Sequence, residues 1–165
     1  MAASTVIKHL YDGSITVEDG TTPTAVSLSV PFTVGDLSLD GLMESQRAAQ
    51  AYQTRGTLHS VRLAAREFPT VTFSAQLADL SDGTDGTLVD FCLKQGSYSS
   101  NVTTLTGSDV YAVKITLTVE GTDLGDSADH TIEMDDVHVT VAIAEGEPDT
   151  VTISGTVYAD TITMT

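Results

Sequence analysis

The sequence has no tryptophan, a single cysteine, and only seven lysines and arginines among 165 residues. One thiol, Cys92, leaves no internal disulfide framework. Seven basic residues against 23 acidic ones give a formal net charge of −16. That balance excludes the usual nucleic-acid binder, which gains affinity by neutralising phosphates with Lys and Arg. It also argues against docking on an anionic membrane surface. No apolar run approaches the roughly 18 residues of a membrane-spanning helix. The segment starting at Met1 lacks the basic stretch and hydrophobic core of a secretory signal. The expectation is a chain made and folded in a reducing cytoplasm, where the sequon spelled by Asn101, Val102 and Thr103 carries no meaning. Aromatics are only 5% of the chain, which counts against a sugar-binding platform.

What is present is mostly Val, Ile, Leu and Ala interleaved with Thr and Ser. These residues suit a pleated, half-buried surface. The length fits one domain spanning residues 1–165, burying about 70% of the surface of its unfolded chain without help from metal or disulfide. Charge is unevenly spread. Residues 76–165 hold 16 acids and two lysines, and residues 1–42 hold five acids and one lysine. Residues 43–75, by contrast, hold four arginines and two glutamates. A positive strip on an acidic molecule reads either as a self-complementary patch or as a solvated arginine face.

Most of the chain alternates with period two, the mark of strands with one buried face. Val26, Leu28, Val30, Phe32 and Val34 oppose Ser27, Ser29, Pro31 and Thr33. Val71, Phe73, Ala75 and Leu77 oppose Thr70, Thr72, Ser74 and Gln76. Further runs are Tyr111–Val119, Val137–Ala144 and Val151–Val157, with shorter candidates at Thr5–Tyr11, Ser14–Glu18 and Thr57–Arg66. Asp12 and Gly13 spell a tight hairpin turn between the first two of these short runs. About eight such strands predict an all-β sandwich or barrel.

One segment, roughly residues 85–95, has helical period. Leu88, Phe91 and Cys92 form its packing stripe, continued by Gln95 and flanked by Val89 and Leu93. Thr84, Asp85 or Thr87 can cap its start, Thr87 and Asp90 have capping spacing, and Gly96 stands where a left-handed C-terminal cap belongs. Gly41–Thr54 is ambiguous: its Met, Glu, Gln, Arg and Ala residues favour helix, but its apolar positions keep no 3.6 period. It reads as a long excursion with some strand character, and such excursions are usually functional. Thr122–Asp129 reads as a loop.

The outer faces at residues 27–33, 70–76 and 150–156 carry almost only Ser, Thr and Gln, where solitary β-proteins place lysines and scattered charges. Acids fall instead in turns or at strand ends, as at Asp12, Asp36, Asp82, Asp123, Asp126, Asp149 and Asp160. Small hydroxyl faces can pack against another sheet with their hydrogen bonds satisfied; a merely Thr-rich sandwich has the same composition.

Sites of chemistry are sparse. In a regular strand His130, Met134, Asp136 and His138 would share a face, with Asp136 and His138 able to reach one ion. No third or fourth ligand is evident, so a surface strand with two histidines is the stronger reading. Asp79, Asp82 and Asp85 echo calcium loops without their spacing or terminal glutamate; a turn entering the helix explains them. Asp123, Asp126 and Asp129 read the same way. No nucleophile elbow, HExxH, P-loop or GxGxxG occurs, and Cys92 reads as a packed small hydrophobe. Nothing singles out a pair of carboxylates for glycosidase-type work.

The order of motifs carries a resemblance. A hairpin with an Asp-Gly turn precedes VSLSVPFTVGDLS (26–38), TRGTLHSVR (54–62), FPTVTFSAQL (68–77), the helix TLVDFCLKQGSY (87–98) and a closing AIAEGEPDTVTISGTVYA (142–159). This series resembles the tail tube, or major tail, proteins of long-tailed bacteriophages over most of the chain, with residues 100–140 matching only by strand pattern. The resemblance implies a virion subunit made in the bacterial host's cytoplasm, with no cofactor, metal or catalytic residue. Six copies would close a ring, and rings would stack into a tube conducting DNA, with tape-measure, terminator and tail-end proteins as partners. It implies that the excursion near residues 36–54 touches a neighbouring copy, making Asp36, Asp40, Glu44, Arg47 and Arg55 candidates for assembly contacts. Glu18, Glu120 and Asp136 are candidates for an acidic bore, whose repulsion of phosphates lets DNA pass without sticking. Other readings are a tail terminator, a distal tail protein or a secretion-system tube protein of the same fold, and a monomeric β-sandwich binding module.

Overall fold

A computed structural model describes Leu10 and residues 13–80, 86–121 and 128–165. The expected strand Thr5–Tyr11 apart from Leu10, its Asp12 turn, and the loop aspartates at 82, 85, 123 and 126 lie outside these residues, as does most of the loop expected at Thr122–Asp129. The described chain is all-β with one short helix. Its strands are β1 (Gly13–Glu18), β2 (Ser27–Ser29), β3 (Ser38–Asp40), β4 (Arg47–Thr54), β5 (Thr57–Arg66), β6 (Thr70–Gln76), β7 (Val113–Val119), β8 (His130–Ala144), β9 (Thr150–Val157) and β10 (Thr163–Met164). Helix α1 spans Leu88–Leu93. The main sheet runs β2-β1-β7-β8-β9-β6-β3, antiparallel throughout, with β10 also on β8. The remaining pair, β4 and β5, stands apart as a two-stranded ribbon.

β8 makes the sheet into two layers. It pairs with β7 from His130 to Val137 and with β9 from Val137 to Ala144, so the two partners overlap only at Val137. A register shift between Val113 and Ile115 marks a bulge there, and Asp136 has φ +54. Bulges bend a strand and let it pass from one sheet to another. The inward sides of both layers then meet in one core. Ile15, Val17, Ile115, Leu117 and Met134 from one side pack with Val71, Phe73, Val139, Val151 and Ile153 from the other. In β7 the sequence alternation translates directly: Val113, Ile115, Leu117 and Val119 are buried, and Lys114, Thr116 and Thr118 are half-buried.

Val137 is fully buried at the handover, opposite Val157, and the residue diagonal to it on β9 must be small. A Cβ on Gly155 would sit 2.5 Å from Val137 Cγ1 and 3.3 Å from His138 O. The glycine of the closing motif is thus a packing requirement.

Three expectations are corrected. Val26–Val34 is not one strand: β2 ends at Ser29, Pro31 has no N–H to donate, and Phe32 takes φ +52. The chain there leaves β1 and bridges to β6 through Thr33 and Ala75, leaving Phe32 and Val34 exposed. The helix also ends earlier than Gly96. Thr87 caps its start by accepting from Asp90 N at 3.1 Å, but Lys94 is the left-handed residue that closes it, with φ 54 and ψ 51. Leu88, Phe91 and Cys92 are buried, as are Val89 and Asp90, whereas Leu93 and Gln95 are exposed. Third, the bulge breaks the alternation that would have set Met134 and His138 on one face: Met134 is buried and His138 exposed.

Asp19, directly after β1, is a buried carboxylate that fastens three stretches of chain. It accepts from Thr21 N at 3.1 Å, Val26 N at 2.7 Å and Val102 N at 3.0 Å, and from the Thr21 hydroxyl. Burial opposes its ionisation, but these hydrogen bonds outweigh burial and hold the carboxyl below its ordinary value of 3.8.

Asp19→Ala strands three backbone N–H groups and costs about 3 kcal/mol at neutral pH. Because the folded carboxyl titrates below the unfolded one, its stabilisation is complete above the ordinary value and is lost as pH falls through the lower folded value. Urea titrations from pH 7 downward therefore show the wild-type advantage shrinking as the pH falls below the ordinary value of 3.8; an advantage that stays constant there contradicts this role. Gly155→Ala lowers stability by roughly 1–3 kcal/mol through overpacking against Val137, measured as a reduced denaturation midpoint with unchanged slope.

Candidate functional site

The four arginines of the chain all lie on the β4–β5 ribbon, at positions 47, 55, 62 and 66, and residues 47–66 contain no acid. The remainder of the molecule holds all 23 acids. The ambiguous excursion is therefore resolved as one 3-10 turn, Glu44–Gln46, followed by a strand. Thr54–Thr57 close the ribbon, with Arg55 at φ 49 and Gly56 at φ 82. Two positive φ values in a two-residue loop are the type I′ turn that matches strand twist.

Strand partners directly opposite one another share a face. Ala49 with Leu63 and Ala51 with Val61 form an apolar face, while Gln50 with Arg62 and Tyr52 with Ser60 form a polar one. Neither face is covered by the main sheet. Val61 is 56% exposed, Leu63 57% and Leu58 58%. A solitary two-stranded hairpin is marginal in water, and an apolar surface left bare on one marks a contact site.

The root of the ribbon, by contrast, is fixed firmly to the body. Arg66 Nε and Nη2 donate to Gln46 Oε1 at 2.9 and 2.7 Å. Nη2 also donates to Ala159 O at 2.6 Å, and Nη1 to Asp160 Oδ1 at 2.7 Å. Gln46, itself buried, donates to the same Ala159 carbonyl at 2.9 Å. The guanidinium lies 4.9 Å from the centre of the Phe68 ring, and Phe68 meets Tyr158 edge-on at 4.9 Å. The arginines thus divide into two kinds. Arg66 anchors, whereas Arg47, Arg55 and Arg62 are exposed.

The other candidates are dispersed. Asp36 Oδ1 accepts from Ser74 N at 2.7 Å and so ties a loop to β6. Asp40 ends β3, and Glu44 begins the turn before β4; both are exposed. Glu18 lies opposite Lys114, whose amino group pairs with Glu133 at 3.3 Å. Asp136 sits at the bulge close to that row, but Glu120 follows β7 at its other end. The three bore candidates are not brought to one place within a single copy. His130 Nδ1 lies 3.1 Å from Thr165 O at the start of β8, and His138 Nδ1 lies 3.0 Å from Tyr111 O near its middle. Cys92 is buried, and burial pushes its thiol up to about 12. Asn101 of the apparent sequon is buried and donates to Tyr111 Oη at 3.2 Å.

Two of the three hydroxyl-rich segments merge. Thr70, Thr72, Ser74 and Gln76 lie opposite Thr156, Ser154, Thr152 and Thr150, and His138 and Thr140 extend the rows on β8. Ser74 and Thr152 hydroxyls are 3.0 Å apart. The third segment, 27–33, is split: Ser27 and Ser29 lie on β2 beside β1, and Thr33 alone bridges to β6 at Ala75.

No protein-family model and no curated protein sequence matches the chain. Two cryo-EM structures share its fold. One is the PVC sheath/tube terminator of an extracellular contractile injection system in the extended state, with TM-score 0.57 and 15% identity over 99% of each chain. Another is the tube-terminating cap of the anti-feeding prophage, with TM-score 0.56 and 13% identity over all of this chain and 95% of that one. At these identities the likeness is one of fold, and it extends from end to end of the chain.

Arg66→Leu removes the anchor and leaves Gln46 with an unpaired buried oxygen, costing about 2 kcal/mol. Amide exchange over residues 47–66 should accelerate at least tenfold while β6, β7 and β9 keep their protection. Equal acceleration in ribbon and body would contradict the anchoring role.

Proposed function

We propose that this chain is a structural, ring-forming subunit of a phage-tail-like tube and that the β4–β5 ribbon joins neighbouring copies. One observation carries this reading: a ribbon with bare apolar residues and every arginine of the chain projects from an otherwise acidic body. Burying a Val or Leu side chain is worth roughly 1.5–3 kcal/mol, so covering Leu58, Val61 and Leu63 supplies a substantial drive to associate.

The end-to-end likeness of fold to a tube terminator and a tube-terminating cap supports a place in such a particle. It also favours a second reading within the same class, a ring that ends the tube instead of repeating along it. In either position the subunit works in a tail or tail-like particle with partners above and below it, and its role is mechanical rather than catalytic. The acids outside the ribbon give the ring a bore with more acidic than basic side chains. Such a bore repels phosphates over a screening length of about 8 Å, so duplex DNA passes without binding.

Purified protein viewed by negative-stain electron microscopy and mass photometry should show closed rings, of six copies if it follows the tail tube pattern. Indefinite tubes identify the shaft subunit, and rings that stop at one or two layers identify the terminator. Replacing residues 50–63 by a short glycine linker should leave a folded monomer. A wild-type chain that stays monomeric at millimolar concentration would overturn the reading.

A further inference from the structure

The ribbon has a complementary surface on the same chain, at the far end of the layer from which it springs. Thr70, Thr156 and His138 lie opposite one another at one end of β6, β9 and β8, and Gln76, Thr150 and Ala144 at the other. The ribbon leaves at the first end, just before Thr70, and is rooted on Ala159 and Asp160, just after β9. The β8–β9 turn closes the second end, roughly 20 Å away along the strands. It exposes Glu145, Glu147 and Asp149 without a basic residue, and Asp149 Oδ1 holds its shape by accepting from Gly146 N at 2.8 Å.

Next to that turn a groove of about 250 Å³ opens between the end of β6, the Pro31 segment and the first turn of α1. Leu28, Pro31, Leu77, Leu88, Val89 and Val151 supply its apolar lining. Phe32 and Ile143, 67% and 49% exposed, stand at the same end. One end of the layer therefore offers a ribbon with exposed Val61 and Leu63 on one face, Arg62 on the other and Arg55 at its tip, and the other end offers carboxylates beside a groove whose described lining is mostly apolar. Being at opposite ends, the two surfaces meet between copies.

We infer that the ribbon of one copy seats in this groove on the next, its Val61 and Leu63 face against the apolar lining and Arg55 at its tip towards Glu145 and Glu147. The inference rests on the ring-forming reading and supplies its missing acceptor. Each copy gives one ribbon and receives one, a heterologous contact that generates a ring when the rotation closes.

The test is a charge swap in trans. Arg55→Glu with Arg62→Glu gives a chain whose ribbon and acceptor are both acidic. Glu145→Arg with Glu147→Arg gives one whose ribbon and acceptor are both basic. Each alone should be a folded monomer by circular dichroism and mass photometry, with its association constant reduced at least a hundredfold. Mixed in equal amounts they should form rings in which the two alternate. A chain carrying Leu63→Cys and Gln76→Cys should, on oxidation, yield a ladder of linked copies, while buried Cys92 contributes none. Wild-type rings with no loss in either variant, no recovery on mixing, or no ladder overturn the inference and leave ring formation standing. A monomeric wild type overturns both.

Discussion

A ribbon of two strands has no interior. Every residue of β4 and β5 beyond the root presents one face or the other to whatever surrounds the molecule, so covering Leu58, Val61 and Leu63 requires a surface the ribbon does not itself supply. Much of the remaining structure follows from that constraint. The Arg66 node fixes the direction in which the ribbon leaves the body, using Gln46, Phe68, Tyr158 and the carbonyl of Ala159. Fixing it beforehand matters, because a contact made by a preordered segment loses less entropy than one made by a loose arm. The type I′ turn at Arg55 and Gly56 has the same effect at the tip, holding the strands in register.

The body answers a different demand. Two layers share β8, and the residue at the handover, Val137, leaves room for nothing larger than glycine at position 155. The outward rows of Thr and Ser on β6, β9 and β8 pair with one another across the strands, so the layer has a nearly uncharged outer face. Carboxylates are displaced to its rims and turns, apart from those with structural roles of their own, such as Asp19 and Asp36. Segregation of charge by position, basic on the ribbon and acidic elsewhere, is thus a product of the topology as much as of composition.

The sequence was most legible where one interaction decides the local structure. Period-two alternation located β6, β7 and β9, because a strand with one buried face repeats every second residue. Thr87 and Asp90 located the start of α1 through a hydrogen bond local to the first turn. Legibility failed where distant parts of the chain intervene. Val26–Val34 alternates well, yet Pro31 and the crossing from β1 to β6 break it. The bulge at Asp136 comes from the bend that sends β8 between two layers, which no local pattern records. Composition showed that residues 43–75 were basic, but not that Arg66 is tied to the body while Arg55 and Arg62 are presented; that division depends on Gln46 and Ala159, far away in sequence. The closing motif was visible as wording only. Its Gly155 and Tyr158 acquire meaning through Val137 and Phe68.

Concentrating the arginines on one projecting ribbon also gives each molecule a large electric moment, positive towards the arm and negative across the body. Two copies approaching through water are therefore turned before they touch, arm towards body, and encounters in the wrong orientation are shed early. Orientation of this kind acts chiefly on the rate of association and fades as salt shortens the reach of the field. Ionic strength thereby sets how quickly such subunits find one another, separately from how tightly they hold.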